Sequence, residues 1–158
     1  LVWLCTEACN EVEAFRLALR GGEVWRLDRG DPSFTDLAPG SEVFHIVTLP
    51  AGKDLTAFCR DAARKSRAQT GFIDAAAETG ALIYFSCLPW VELTALTNER
   101  DADPDDAVPR IAWGRYAERD GRLMLGLSLE VNHRLIDGVH IGRFAQALER
   151  RIAALAAR

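Results

Sequence analysis

His45, His133 and His140 are the only three histidines in the chain, so any imidazole chemistry must use one of them. His133 is distinguished by its neighbours, lying in Val131-Asn132-His133-Arg134-Leu135-Ile136-Asp137-Gly138-Val139-His140. It extends the alternation Leu123, Leu125, Leu127, Leu129, Val131, which predicts a place on the apolar face of a strand. A histidine at the end of a buried strand sits in low dielectric, which disfavours its charged form and keeps it available as a base. Asp137 is expected to cap a following helix and meet its positive dipole end, while Gly138 permits a tight turn. These residues leave several chemistries open. A lone histidine on an apolar strand is more often a satisfied core residue than a catalyst. As metal ligands, His133, Asp137 and His140 would not share a helical face, and no further ligand pair is apparent. A Ser86–Asp137–His133 hydrolase triad is another arrangement, although Phe85-Ser86-Cys87-Leu88-Pro89 lacks the glycines of a strained nucleophile elbow.

The elements that must position these groups follow from hydrophobic periodicity. A helix over residues 9–20 is predicted from Val12, Phe15, Leu17 and Leu19, ending at Gly21-Gly22. Residues 23–27 and 42–49 read as short strands separated by a turn-rich stretch, 28–40. Residues 54–69 form a helix with a charged outer face. The apolar run at residues 81–87 reads as a fully buried strand, and a further strand is expected over 91–96. Residues 98–108, acidic and containing Pro104, form a loop. Strands over 110–117 and 123–131 flank Glu118-Arg119-Asp120-Gly121, a hairpin turn that favours positive φ. From Gly138 the period becomes helical, with Ile141, Phe144, Leu148, Ile152 and Leu155 in one stripe. Antiparallel or mixed strands with helices gathered on one side make an α+β two-layer sandwich, expected as a single domain over residues 1–158.

With 158 residues, 49% hydrophobic and 27% charged, the chain has the composition of an ordinary globular domain with room for a substantial core. The net charge of −4 argues against nucleic acid or an anionic membrane as partner, since those need clustered Lys and Arg. No apolar run approaches the ~18–20 residues of a membrane-spanning helix, and no leader pattern is present. The chain begins at Leu1 and its one methionine is Met124, as expected of a processed, cleaved or partial chain. Cys5, Cys9, Cys59 and Cys87 lack metal-ligand spacing and stand in apolar neighbourhoods, so they are expected to be buried, reduced thiols of a cytoplasmic protein.

The segment from Val131 to Arg143 resembles the HxxxDG signature of the chloramphenicol acetyltransferases, including its DGxHxGR extension. HxxxDG alone is shared with dihydrolipoyl acyltransferase cores and condensation domains. Two further stretches narrow the choice. Phe85-Ser86-Cys87-Leu88-Pro89-Trp90-Val91 with Thr94 resembles the family's S-x-x-P-W segment, and Trp113-Gly114-Arg115-Tyr116 leading to Asp120-Gly121 resembles its GKYY hairpin. Phe15-Arg16 and Asp31-Pro32-Ser33-Phe34-Thr35 also fit, so the resemblance runs from Leu1 to the C-terminal helix. It implies a homotrimer with active sites between subunits and direct transfer of acetyl from acetyl-CoA to a hydroxyl of chloramphenicol or a similar small molecule, with antibiotic resistance as the consequence. No metal is implied. By resemblance His133 is the general base, Ser86 the hydroxyl that stabilises the tetrahedral oxyanion from a neighbouring subunit, and Asp137 a structural aspartate paired with an arginine. Trp90 and Tyr116 match aromatic positions near CoA, and Phe44 matches a wall of the acceptor pocket; core packing is the commoner use of such aromatics. His140 and Arg143 are expected to be structural.

Three departures from the family pattern stand out. Asn132 replaces the first of its usual paired histidines. Ala112 stands where a threonine positions an active-site water. The family's first strand, first helix and second strand, which supply the arginine partner and much of the acceptor pocket, have no counterpart in residues 1–158. These departures motivate a second expectation, a degenerate or non-catalytic member that binds CoA, a ligand or a partner. A dihydrolipoyl acyltransferase is a third, without a lipoyl domain or linker in the chain to favour it.

Overall fold

The computed structural model of the chain describes residues 1–99 and 103–157. In chain order the elements are α1 (Val2–Glu11), a 3-10 turn (Glu13–Arg16), β1 (Leu17–Arg20), β2 (Glu23–Arg26), β3 (Asp31–Asp36), β4 (His45–Thr48), α2 (Leu55–Ala68), β5 (Leu82–Leu88), β6 (Arg110–Gly114), β7 (Ala117–Arg119), β8 (Arg122–Met124), β9 (Leu127–Glu130) and α3 (Gly138–Ala156). Five strands form one mixed sheet in the order β4-β3-β5-β6-β9, with β5 parallel to both neighbours and the outer pairs antiparallel. β1–β2 and β7–β8 are separate hairpins.

The expected two-layer arrangement is present, with the helices on one face of the sheet. Alternation along β5 turns Ile83 and Phe85 toward the helices, where they join Ile111 of β6. Cys5, Ala8, Cys9, Val12 and Phe15 meet Phe144, Ala147 and Leu148 of α3 above them. The rings of Phe15 and Phe144 stack with centroids 5.5 Å apart. α2 seals the other side of this layer, packing Phe58 on Val47 and Phe34. Its start is fixed by Asp54, whose carboxylate accepts from the Ala57 N–H at 2.6 Å, and its end by Gln69, whose Nε2 donates to the Ile46 carbonyl of β4 at 2.8 Å. No helix among the described residues is long and apolar enough to cross a membrane.

Several predicted elements are corrected. The helix expected over residues 9–20 ends at Glu11, and Leu17 to Arg20 is a strand. Phe15, Leu17 and Leu19 are spaced by two, a strand period, and Gly21-Gly22, with φ of 60° and 80°, form a two-residue hairpin turn rather than a helix stop. The stretch expected to be only turns contains β3, an internal strand. Its Pro32 sits at the strand entry, before pairing with β4 begins at Ser33, where its missing N–H is tolerated. Residues 91–96 form no strand. That segment crosses Gly114 and Gly126 closely: a Cβ at Gly114 would lie 2.6 Å from the Leu93 nitrogen and the Val91 oxygen, and one at Gly126 would overlap the Leu93 carbonyl. The predicted strand 123–131 is split at Leu125-Gly126 into β8 and β9 for the same reason, leaving Leu123 exposed while Leu127 and Leu129 reach the core. The turn between β7 and β8 has the expected positive φ at Asp120 and Gly121, 52° and 72°. The acidic loop falls partly outside the described residues, and its described part has no helix or strand. On α3 only the middle of the stripe is buried, Phe144 and Leu148, while Ile141, Ile152 and Leu155 are partly open.

Only two of the four cysteines match the expected burial. Cys5 and Cys9 are buried, whereas Cys59 and Cys87 are exposed, and all four are free. Burial pushes the Cys5 thiol up to about 12 and the Cys9 thiol well above its ordinary range. Partial screening from water also raises the Cys87 thiol. A raised pKa leaves less thiolate at a given pH, so titration of the native protein with a thiol reagent at pH 8 will read no more than two groups, Cys87 slowly, and four after unfolding. Replacing Phe144 by Ala removes a ring from the centre of the α1–α3–sheet contact and will cost about 3–5 kcal/mol in chemical denaturation.

Candidate functional site

β9 ends at Glu130, and the chain then folds into a tight turn in which the Asn132 carbonyl accepts from the N–H groups of Leu135 and Ile136 at 3.0 and 3.1 Å. Ile136, 3% exposed, plugs the turn into the core. His133 projects from the turn into solvent, so the expected burial on an apolar strand face is corrected: its own chain does not desolvate it. The imidazole is nonetheless oriented. Its Nδ1 lies 3.2 Å from the Ile136 carbonyl oxygen. A carbonyl only accepts, so Nδ1 carries the proton in that contact, and in the neutral ring the Nε2 lone pair is free.

Asp137 caps α3 as expected. Its carboxylate accepts from the Gly138 N–H at 2.7 Å, and His140 completes a capping box, its Nδ1 accepting from the Asp137 N–H at 2.9 Å. The structural reading of His140 therefore has a concrete basis. Both Asp137 and His140 are engaged with backbone, and His133 bonds to a carbonyl rather than to a carboxylate, so no Ser–His–Asp relay runs through this turn. Among the described residues no three His, Cys, Asp or Glu side chains group as metal ligands, and no cation pairs with Asp137.

Ser86 lies elsewhere. An open cleft of about 700 Å³ is walled by the ends of β3 and β5 and the loop before β4, and brings Ser86 together with Phe44 and Trp90. Phe44 leans on Phe72, with centroids 5.4 Å apart, and Trp90 is 68% exposed. Tyr116 does not line this cleft, but the Arg115 N–H donates to the Val91 carbonyl at 2.7 Å, which fixes it near Trp90 along the chain path. Ala112 is the direct neighbour of Ser86 across the β5–β6 pair and offers no hydroxyl there.

Sheet register separates His133 from Ser86. The cleft lies where β5 ends, whereas His133 lies beyond Glu130, which pairs with Arg110 near the beginning of β5. Two strand spacings, about 10 Å, add to that separation sideways. One chain thus presents an oriented imidazole at one end of the sheet and a hydroxyl-bearing cleft at the other.

Two clusters were not anticipated from sequence. Ser66 of α2 donates to the Asp36 carboxylate and stands 3.0 Å from His45 Nε2, tying α2 to the β3–β4 edge. Asp36 and His45 are cross-strand partners, a relation that the turn-forming composition of residues 28–40 conceals. The second cluster surrounds Asn132, whose Nδ2 donates to the Asp106 carbonyl and whose Oδ1 accepts from the Arg134 N–H, each at 3.0 Å. Its signal was the Asn itself, a residue that suits such turns.

The architecture and residues match known proteins. The family model described as chloramphenicol acetyltransferase matches residues 1–149. The chloramphenicol acetyltransferase of Streptomyces acrimycini is 33% identical, over 96% of this chain and 71% of its own length. Chloramphenicol acetyltransferase 3 of Escherichia coli is 26% identical, over 94% and 71%. Among solved structures, a chloramphenicol acetyltransferase superposes with a TM-score of 0.83 at 23% identity, covering 94% of this chain and 74% of that one. The dihydrolipoamide acetyltransferase of Azotobacter vinelandii has the same fold, with a TM-score of 0.76 at 24% identity over 99% and 68%. On this combination of a nearly full-length family match, a relative at one-third identity and a shared fold, the chain belongs to the chloramphenicol acetyltransferase family of acyltransferase enzymes.

Proposed function

We propose that residues 1–158 form a single CoA-dependent acyltransferase domain that transfers acetyl from acetyl-CoA to a hydroxyl of chloramphenicol or a similar small molecule, as a cytoplasmic homotrimer. The observation that carries this reading is the separation of His133 from Ser86 within one chain, which a neighbouring copy would bridge. A second copy laid over the His133 turn also supplies the desolvation its own chain lacks.

In this mechanism His133 Nε2 takes the proton of the acceptor hydroxyl as the oxygen attacks the thioester carbonyl. Nδ1–H stays on the Ile136 carbonyl and holds the ring through the change of charge. The developing oxyanion accepts from the Ser86 hydroxyl of the neighbouring copy. Collapse of the tetrahedral intermediate re-forms the carbonyl, breaks the C–S bond and returns the proton from the imidazolium to the leaving CoA thiolate. Asp137 acts by capping α3 and fixing the end of the turn. Phe44 forms an apolar wall for the acceptor, and Trp90 and Tyr116 offer aromatic surface to CoA.

Thiol release from acetyl-CoA in the presence of chloramphenicol tests the reading, and no release above background across a panel of alcohols would sink it. His133→Ala should lower kcat by about 10²–10⁴-fold, and Ser86→Ala by about 10²–10³-fold. Co-refolding the two inactive variants should restore part of the activity, because mixed assemblies contain sites with an intact base from one chain and an intact serine from another. Ala112 beside Ser86 favours a second reading, a member that binds CoA without turnover. Calorimetry separates the two: heat of CoA binding with no thiol release supports the second, and no binding overturns both.

A further inference from the structure

The turn bearing His133 is not free to choose its own geometry. Asn132 immediately precedes it and uses its planar amide at both ends. Oδ1 faces the Arg134 N–H, which only donates, and Nδ2 faces the Asp106 carbonyl, which only accepts, so the amide orientation is fixed. The Asn132 backbone carbonyl takes the Leu135 and Ile136 N–H groups as well, and Ile136 in turn accepts the His133 ring. Asn132 therefore takes part, through side chain and backbone, in four of the hydrogen bonds that shape the turn.

What Asn132 grips is itself held. The Asp106 carboxylate forms a two-pronged pair with Arg110 of β6, at 3.1 and 2.8 Å, both side chains being 12% exposed. The Arg110 guanidinium lies 5.6 Å from the centre of the Tyr84 ring on β5. Such fork-on-carboxylate pairs are directional as well as strong. Arg134 adds a contact from the far side of the turn, to Asp105 at 3.3 Å. A continuous path thus runs from two central strands through Arg110 and Asp106 to Asn132 and the imidazole.

We propose that Asn132 is a positioning residue for His133, transmitting the rigidity of the sheet to the imidazole through its bond to the Asp106 loop. The inference deepens the proposed function and rests on it for its kinetic effect, but not for its structural one. A loop that only linked two strands needs no such amide. A base that must meet a proton on a molecule held by another surface needs its ring fixed before that molecule arrives.

Two variants test the idea. Asn132→Ala removes both amide bonds. Asn132→Asp keeps the acceptor for the Arg134 N–H and nearly the same shape, but loses the donor to Asp106. Ring-nitrogen NMR of His133 at a pH where it is neutral should show the Nδ1–H tautomer in the parent chain and a tautomer mixture in both variants. Misplacement of a reacting group by a fraction of an ångström to 1 Å carries large kinetic cost, so kcat should fall by about tenfold or more while KM for acetyl-CoA moves less than about twofold. Unchanged circular dichroism confirms that the variants are folded, and Asn132→Asp stands in if Asn132→Ala is not. A variant that keeps both the tautomer signature and kcat within twofold of the parent overturns the inference. If the parent chain itself transfers no acetyl group, the proposed function falls, and the tautomer comparison alone decides the role of Asn132.

Discussion

Everything in this chain follows from a sheet that is buried under helices on one side only. Ile83, Phe85, Ile111 and their neighbours must turn toward α1 and α3, and with a period of two the residues between them must turn away. Ser86 is one of those residues, and so are Ala112 and Ser128, its successive neighbours across β6 and β9. A slip of one position would bury the serine and expose the core. The Ser86 hydroxyl thus owes its place to the hydrophobic effect acting on residues beside it, and the packing of Phe15 on Phe144 is part of what aims it.

The other side of the sheet is organised by different means. Irregular chain from Val91 onward crosses Gly114 and Gly126, and polar contacts tie it down: the Ser128 hydroxyl to the Leu96 carbonyl, and the Asn98 N–H to Glu130. This face is satisfied by hydrogen bonds rather than by a second helical layer, and it opens into the cleft at the strand ends. Large apolar side chains, among them Trp90, Val91 and Leu123, stay exposed along this stretch of chain.

The strongly periodic parts were legible from sequence, because long stretches with one clear burial pattern leave little choice. The helix at residues 54–69, the strand around Tyr84 and the helix from Gly138 all appeared where their patterns put them. That strand is not fully buried as expected: Tyr84 and Ser86 are half-buried and Cys87 is exposed, because helices cover one face only. The failures cluster where two principles compete. Gly21-Gly22 serves equally as a helix stop or a hairpin, and only pairing with β2 decides. β3 begins Asp-Pro-Ser, turn residues by composition, yet neighbours on both sides override that preference. The motif singled out His133, but exposure of its ring depends on β9 ending at Glu130, where the chain leaves the sheet for the turn closed on the Asn132 carbonyl. Asn132 looked like a loss relative to paired histidines. Its bonds to Asp106 and Arg134 are long-range and local contacts that no spacing rule encodes.

The makeup of the cleft wall has a bearing on how such a protein changes over generations. Leu37, Glu42 and Phe44 belong to the connection between β3 and β4, and all three are exposed. None takes part in the helix-covered core, so replacements there leave strand register and the His133 turn undisturbed. Drift at these positions is therefore cheap, and if the cleft receives the acceptor as proposed, its range of acceptors would broaden or shift by single substitutions while the rest of the fold is inherited intact. Under that proposal, selection by a new hydroxylated compound would leave its first marks in this connection, not in the strand that carries Ser86 or the turn that carries His133.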